Sequence, residues 1–119
     1  MLTVHTENIG DLAIVECKGR IVRSDAAFKL RKAVMAQTNA RVVVLDMREV
    51  HAIEGGGLGM LWFLQRWAQD HGIRLTLFDL ADSIKRRLQQ SNSPKFNIAT
   101  FDEMMVLLAR ADGAVGMAA

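Results

Sequence analysis

Apolar and polar residues alternate from Leu2 to His5, and a denser apolar run spans Leu12 to Cys17. The first pattern has the period of a half-buried strand. Asn8-Ile9-Gly10-Asp11 between the runs is a turn signal, so the two together predict a β-hairpin. Arg41 to Asp46 reads differently. Val42, Val43, Val44 and Leu45 are successive apolar residues, three of them β-branched, and predict a strand buried on both faces with Asp46 at its carboxyl end. Met47 to Ala52 then reads as a loop or short turn. Ile73 to Phe78 alternates strictly and predicts a fourth strand, and Phe96 to Ala99 a short edge strand.

Between these runs the period lengthens to that of a helix. Ala26, Ala27, Leu30, Ala33, Val34 and Gln37 share one side, Lys29, Arg31 and Lys32 lie towards the other, and Ser24 or Asp25 can cap the start. Phe28 and Met35 fall outside the stripe, as peripheral packing or as a contact surface. A second helix over Leu58 to His71 puts Met60, Leu61, Leu64, Trp67 and Ala68 on one broad face, with Gly72 placed as its C-cap. Trp62 projects among the polar residues, one turn after Leu58. That pair is either an exposed apolar patch or a surface covered by a neighbouring loop. A third helix begins within Asp79 to Ser83, turns Ile84 and Leu88 inward and Lys85, Arg86 and Arg87 outward, and ends at Ser91-Asn92-Ser93-Pro94. Thr100 and Glu103 have the spacing of a capping box before a last helix with Met104, Leu107 and Leu108 inward.

The order strand, strand, helix, strand, helix, strand, helix, short strand, helix predicts one α/β domain. Its mixed sheet has four to five strands and about four flanking helices. The domain is expected over residues 2–110, with a disordered Gly- and Ala-rich tail over 111–119. A chain of 119 residues is long enough for one core without staples. The net charge of +2, with no basic stripe and few aromatics, gives no reason to expect nucleic acid. No apolar run is long enough to span a membrane, and the N-terminus has no signal-peptide pattern, so direct membrane insertion is not expected and the default setting is the cytoplasm. Cys17 is the only cysteine; on an apolar strand pattern it reads as a buried, inert thiol.

The chemistry-bearing stretch is Glu54-Gly55-Gly56-Gly57-Leu58-Gly59, a glycine-rich turn that follows the buried strand and opens an apolar helix. Free N–H groups at such a turn can cradle an anion. Neither Gly-x-x-x-x-Gly-Lys-Ser/Thr nor the full Gly-x-Gly-x-x-Gly spacing is present, however, so a tight-turn role is favoured over phosphate binding. Asp46, Glu49 and Glu54 lie near one strand end without a nucleophile or histidine poised beside them, and His51 reads as a solvated loop residue. His5 and His71 stand on separate elements. No Cys/His cluster has metal-ligand spacing, so no catalytic residue, metal or cofactor is expected.

At this turn the chain resembles the STAS family, the domain of anti-sigma factor antagonists and of the cytoplasmic tails of sulphate transporters. The family signature is an apolar strand ending in Leu-Asp, a short loop, then Asp-Ser-Ser-Gly-Leu-Gly opening a helix. Here Val43-Val44-Leu45-Asp46 and Glu54-Gly55-Gly56-Gly57-Leu58-Gly59 correspond. Lys18-Gly19-Arg20-Ile21, Ile73 to Phe78 and Ile84-Lys85-Arg86-Arg87-Leu88 agree with the flanking features. Val22 stands where antagonists often carry Asp, and Asn92 where many members have Gly.

The resemblance implies a bacterial regulatory module that binds an anti-sigma factor, a switch-type protein kinase, or another STAS or regulatory protein; a homodimer is compatible with it. In antagonists a serine of this turn is phosphorylated and the added charge breaks the complex. Gly55 and Gly56 occupy the two serine positions, and neither has a hydroxyl to phosphorylate. The expected partner-binding surface is Glu54, Gly55, Gly56, Gly57, Leu58 and Trp62, joined by Arg20, Arg23 and Ser24 of the Gly19–Asp25 loop. Two alternatives stand beside this reading. One is a STAS subunit of a multi-protein assembly, such as a lipid-trafficking ABC transporter or a signalling complex. The other is a small-ligand or nucleotide sensor using the turn's N–H groups.

Overall fold

A computed structural model describes residues 2–21, 25–54, 56–90 and 96–118. Strands β1 (Leu2–Ile9) and β2 (Leu12–Ile21) form the hairpin foreseen at Gly10. Helix α1 (Asp25–Met35), β3 (Val42–Ile53), α2 (Gly56–Asp70), β4 (Arg74–Phe78), α3 (Asp82–Gln90), β5 (Asn97–Ala99) and α4 (Phe101–Ala118) follow. The five strands make one mixed sheet in the order β1-β2-β3-β4-β5, antiparallel only between β1 and β2.

Each parallel strand steps one place further across the sheet. Right-handed crossovers that all step the same way put their helices on one face. The core divides accordingly. Leu30 and Val34 of α1, Leu61 and Leu64 of α2, and Ile84 and Leu88 of α3 pack with Val43 and Leu45 of β3. Met104 and Ala111 of α4 pack with Leu12, Ile14 and Val44 on the other side. Successive residues of β3 therefore serve opposite cores, which is why Val42 to Leu45 is apolar without alternation.

Two strands run further than the sequence pattern foretells. Met47 to Ala52, expected as a loop, continues β3, and β2 runs on beside it. Lys18 pairs with Glu49, Gly19 with Val50, Arg20 with Ala52 and Ile21 with Ile53. The register shifts between Glu16 and Lys18 and again between Gly19 and Arg20, so β3 carries an extra residue at each break. Such bulges destroy the period-2 signal while leaving the strand intact. Met47, Val50 and Ile53 are buried, whereas Arg48, Glu49 and His51 are exposed. Asp46 consequently lies inside the strand rather than at its end. It is only 7% exposed and is held by Arg48, whose Nε and Nη2 donate to its two carboxylate oxygens at 3.2 and 2.9 Å.

Strand β4 also departs from strict alternation: Leu75, Thr76 and Leu77 are all buried, because helices cover both of its faces. The helix ends follow local chemistry. Gly72 takes a left-handed φ of 67°, and the Ile73 N–H returns to the Ala68 carbonyl at 2.8 Å, closing α2 with the αL residue that glycine supplies without steric cost. At α4 the Glu103 N–H donates to Thr100 Oγ1 at 3.1 Å, and the Thr100 N–H donates to Glu103 Oε1 at 3.3 Å. This is the reciprocal capping box read from the sequence. Helix α4 continues to Ala118, beyond the boundary expected at Arg110, and Ala111 is buried within it. The stop expected at Ser91 to Pro94 lies outside the described residues, as does Asn92.

Candidate partner-binding site

The glycine turn joins β3 to α2 and is pinned to the end of β2. The Glu54 N–H donates to the Ile21 carbonyl at 3.0 Å, and the Gly57 N–H donates to the Glu54 carbonyl at 2.8 Å. Gly57 is buried, and a Cβ added there would overlap the Ile21 carbonyl oxygen and crowd its carbon at 2.9 Å. Only glycine allows the start of α2 to approach β2 this closely. Gly56 is exposed at the first position of α2. Gly59 is also exposed, and a Cβ placed there would meet nothing within 4 Å. On the rim Arg20 Nη2 meets Glu54 Oε1 at 2.7 Å, with both side chains about half exposed.

Of the remaining residues expected at this surface, Gly55, Arg23 and Ser24 lie outside the described residues. Leu58 and Trp62 are both half-buried, and Leu58 packs against the main core. The indole Nε1 of Trp62 is closed off from solvent, with no hydrogen-bond partner among the described residues. The pair is therefore not an exposed patch: both side chains are half-buried. The exposed ring of α2 is its neighbour Phe63, at 42%. Arg31 of α1 lies over that ring, its guanidinium carbon 4.6 Å from the centroid, a cation–π contact that ties the outer surfaces of α1 and α2 together. Phe28, 62% exposed, stands one turn before Arg31. The sequence placed Phe28 off the inner stripe but did not single out Phe63.

The turn's capacity for an anion is limited by the same geometry. The N–H groups of Glu54 and Gly57 are spent on backbone carbonyls, and the Glu54 carboxylate is paired with Arg20. Among the described residues no three His, Cys, Asp or Glu side chains are grouped to hold a metal ion. His51 projects from β3 into solvent, not from a loop. Cys17, on β2, is buried in the main core, and burial, with Asp46 adding a smaller push, drives its thiol up to about 12. A thiol held neutral in this way is a poor nucleophile at ordinary pH. No helix among the described residues is long and apolar enough to cross a membrane.

Comparison with known proteins matches residues 3–105 to the STAS domain. A search of curated proteins finds no significant match. Among solved structures, a Thermotoga maritima protein assigned as an anti-sigma factor antagonist superposes with a TM-score of 0.74 at 18% identity, covering 90% of this chain and 95% of its own. The unphosphorylated anti-sigma factor antagonist SpoIIAA superposes with a TM-score of 0.69 at 11% identity, over 91% of this chain and 98% of its own. A sulfate transporter family protein from Wolinella succinogenes gives 0.60 at 21% identity, over 89% and 88%. At these identities the likeness establishes a shared fold.

Proposed function

The chain belongs to the STAS domain family, and on that premise we propose that it is a non-enzymatic cytoplasmic regulator of the anti-sigma factor antagonist kind. It binds an anti-sigma factor, a switch-type protein kinase or a related regulator. The observation that carries this reading is the β3–α2 turn. Gly57 is locked against Ile21 and the Arg20–Glu54 ion pair braces the rim, so the turn offers a partner a preformed surface with little ordering cost. The contact face joins Glu54 and Gly56 to Phe63, Arg31 and Phe28 on the adjoining helices.

Regulation differs from a phosphoswitch. Gly55 and Gly56 have no side-chain oxygen, so a kinase cannot place the roughly two negative charges of a phosphate at either position. Binding is constitutive, or is set by competition and expression.

The tagged full chain, used as bait in an extract of its own cells, tests the reading. Capture of an anti-sigma factor or switch kinase is expected, with Phe63→Ala and Arg20→Glu each reducing capture about tenfold at unchanged Tm. Recovery of no regulatory protein contradicts it. Trp62→Ala is the wrong probe, because its half-buried side chain makes loss of stability the dominant effect.

A second reading, a STAS subunit held permanently in a multi-protein assembly such as a lipid-trafficking ABC transporter, is favoured by the missing hydroxyls. Capture of a transporter ATPase would select it. The small-ligand or nucleotide sensor is disfavoured by the two turn N–H groups already committed to carbonyls. Calorimetric heat with nucleotides at millimolar concentration would restore it.

A further inference from the structure

The two edges of the sheet are unlike. Strand β5 spans three residues, Asn97–Ala99, and shortness is one way in which proteins protect an edge from pairing. Strand β1 spans eight, Leu2–Ile9, contains no proline, and pairs with β2 without a break in register. Gly10 and Asp11 form a tight loop between Ile9 and Leu12, which makes those two a hydrogen-bonded pair. Such pairs alternate along an antiparallel ladder, so Glu7, His5 and Thr3 also bond to β2. The backbone N–H and C=O groups of Val4 and Thr6 point the other way, off the sheet. No backbone group among the described residues meets them there.

That edge opens into a groove of about 540 Å³ between β1 and α1. Leu2, Val4 and Thr6 form its floor, since alternate residues of a strand face the same side. Ala33 and Ala36 of α1 form its wall, with Lys29 and Lys32. Asn8 Nδ2 donates to Gln37 Oε1 at 2.9 Å across the hairpin end. Both lysines are exposed, neither forms an ion pair among the described residues, and no carboxylate lines the groove.

We propose that β1 accepts an extended acidic segment of another protein as a sixth strand. Backbone bonds to Val4 and Thr6 hold the segment, and alternate side chains, glutamate or aspartate, enter the groove beside Lys29 and Lys32. The row of unpaired backbone groups sets the partner's conformation, and the lysines set its charge. The lysines also disfavour a second copy of this chain. Two copies joined through β1 about a two-fold axis normal to the sheet would place both α1 helices on one face, with their lysine-bearing flanks turned towards each other. Arg31 leaves α1 on the opposite flank, over Phe63 of α2. The proposal therefore stands whether or not the β3–α2 turn binds a regulator.

Titration of the ¹⁵N-labelled full chain with a capped peptide of alternating threonine and glutamate tests it. Saturable shifts are expected along β1. Hydrogen exchange should slow at least about tenfold at the amides of Val4 and Thr6, which are open in the free protein, and change little at Thr3 and His5, which β2 already holds. The same peptide with lysine in place of glutamate should bind roughly tenfold or more weakly. The double variant Lys29→Glu, Lys32→Glu should weaken binding of the glutamate peptide by a similar factor at unchanged Tm. Thr6→Pro, which removes an edge N–H, should abolish the protection at Val4. Absence of saturable shifts at millimolar peptide, equal binding of the two peptides, protection without the alternation, or sedimentation as a dimer that β1 substitutions dissociate would overturn the proposal.

Discussion

A methyl group added at position 57 and one added at position 59 have opposite consequences. At Gly57 the new Cβ meets the Ile21 backbone carbonyl, which cannot swing aside because it also accepts the Glu54 N–H. Gly57→Ala is expected to cost about 3 kcal/mol, the upper range for overpacking a tight site. At Gly59 the surroundings are open and the position is inside α2, so Gly59→Ala should gain up to about 1 kcal/mol from helix propensity. Urea denaturation of the two variants checks both; equal stabilities would mean that the turn is not pinned on β2. Cys17 adds a pH dependence. Its folded-state thiol is raised to about 12 from an ordinary value of 9.0, mainly by burial and secondarily by Asp46. Between these values the unfolded chain releases the proton and the folded chain keeps it. Stability is therefore full below pH 9 and falls towards pH 12 by about 1.4 kcal/mol per unit. Cys17→Ala should flatten that slope in denaturation curves recorded across the range. Trp62 and Phe63 mark where residue-level reading stops. With the inner face of α2 centred between Leu61 and Leu64, the two rings project about equally far from it, on opposite flanks. The projection cannot rank them. The contact that Phe63 makes is with Arg31 of α1, and no periodicity within α2 encodes the placement of another helix.

Elements whose signals are local were legible in advance. The capping box at Thr100 and the αL glycine at position 72 each need only a few neighbouring residues, and both formed as read. The latter half of β3 was not legible, because its two extra residues are defined against β2 and leave no mark in their own stretch. Its course matters to the site. By carrying Ile53 to the end of β2, the bulged pair brings Glu54 to Arg20 and Gly57 to Ile21. The two serine-equivalent positions were legible as chemistry, but which glycine the packing demands became clear only from the neighbouring strand. Helix α4 is the single helix on its face of the sheet among the described residues, so its cap should have a separable effect. Thr100→Ala removes the hydroxyl that accepts the Glu103 N–H and should cost about 1 kcal/mol. Hydrogen exchange should quicken first at Glu103 and Met104, at the start of α4; uniform acceleration across the sheet would instead show that the helix and sheet open as one unit.

At the scale of the whole molecule, the sheet separates two surfaces with different chemistry. The face of α1 and α2 adjoins the turn and carries Phe28, Arg31 and Phe63, while the α4 face carries Phe101, Met105 and Val106. The mixed sheet flanked by helices was foreseeable in outline from the alternation of strand and helix patterns. The central functional claim is that the turn and the adjoining α1–α2 surface bind a regulator without phosphate control. Site-specific photo-crosslinking in native extract tests it most directly, with a benzophenone side chain at Phe63 and, as control, at Met105. The expected result is a regulatory protein crosslinked from position 63 and not from position 105, in a yield unchanged by prior incubation with ATP. Crosslinking confined to position 105, or a position-63 product lost after prior incubation with ATP, would contradict it.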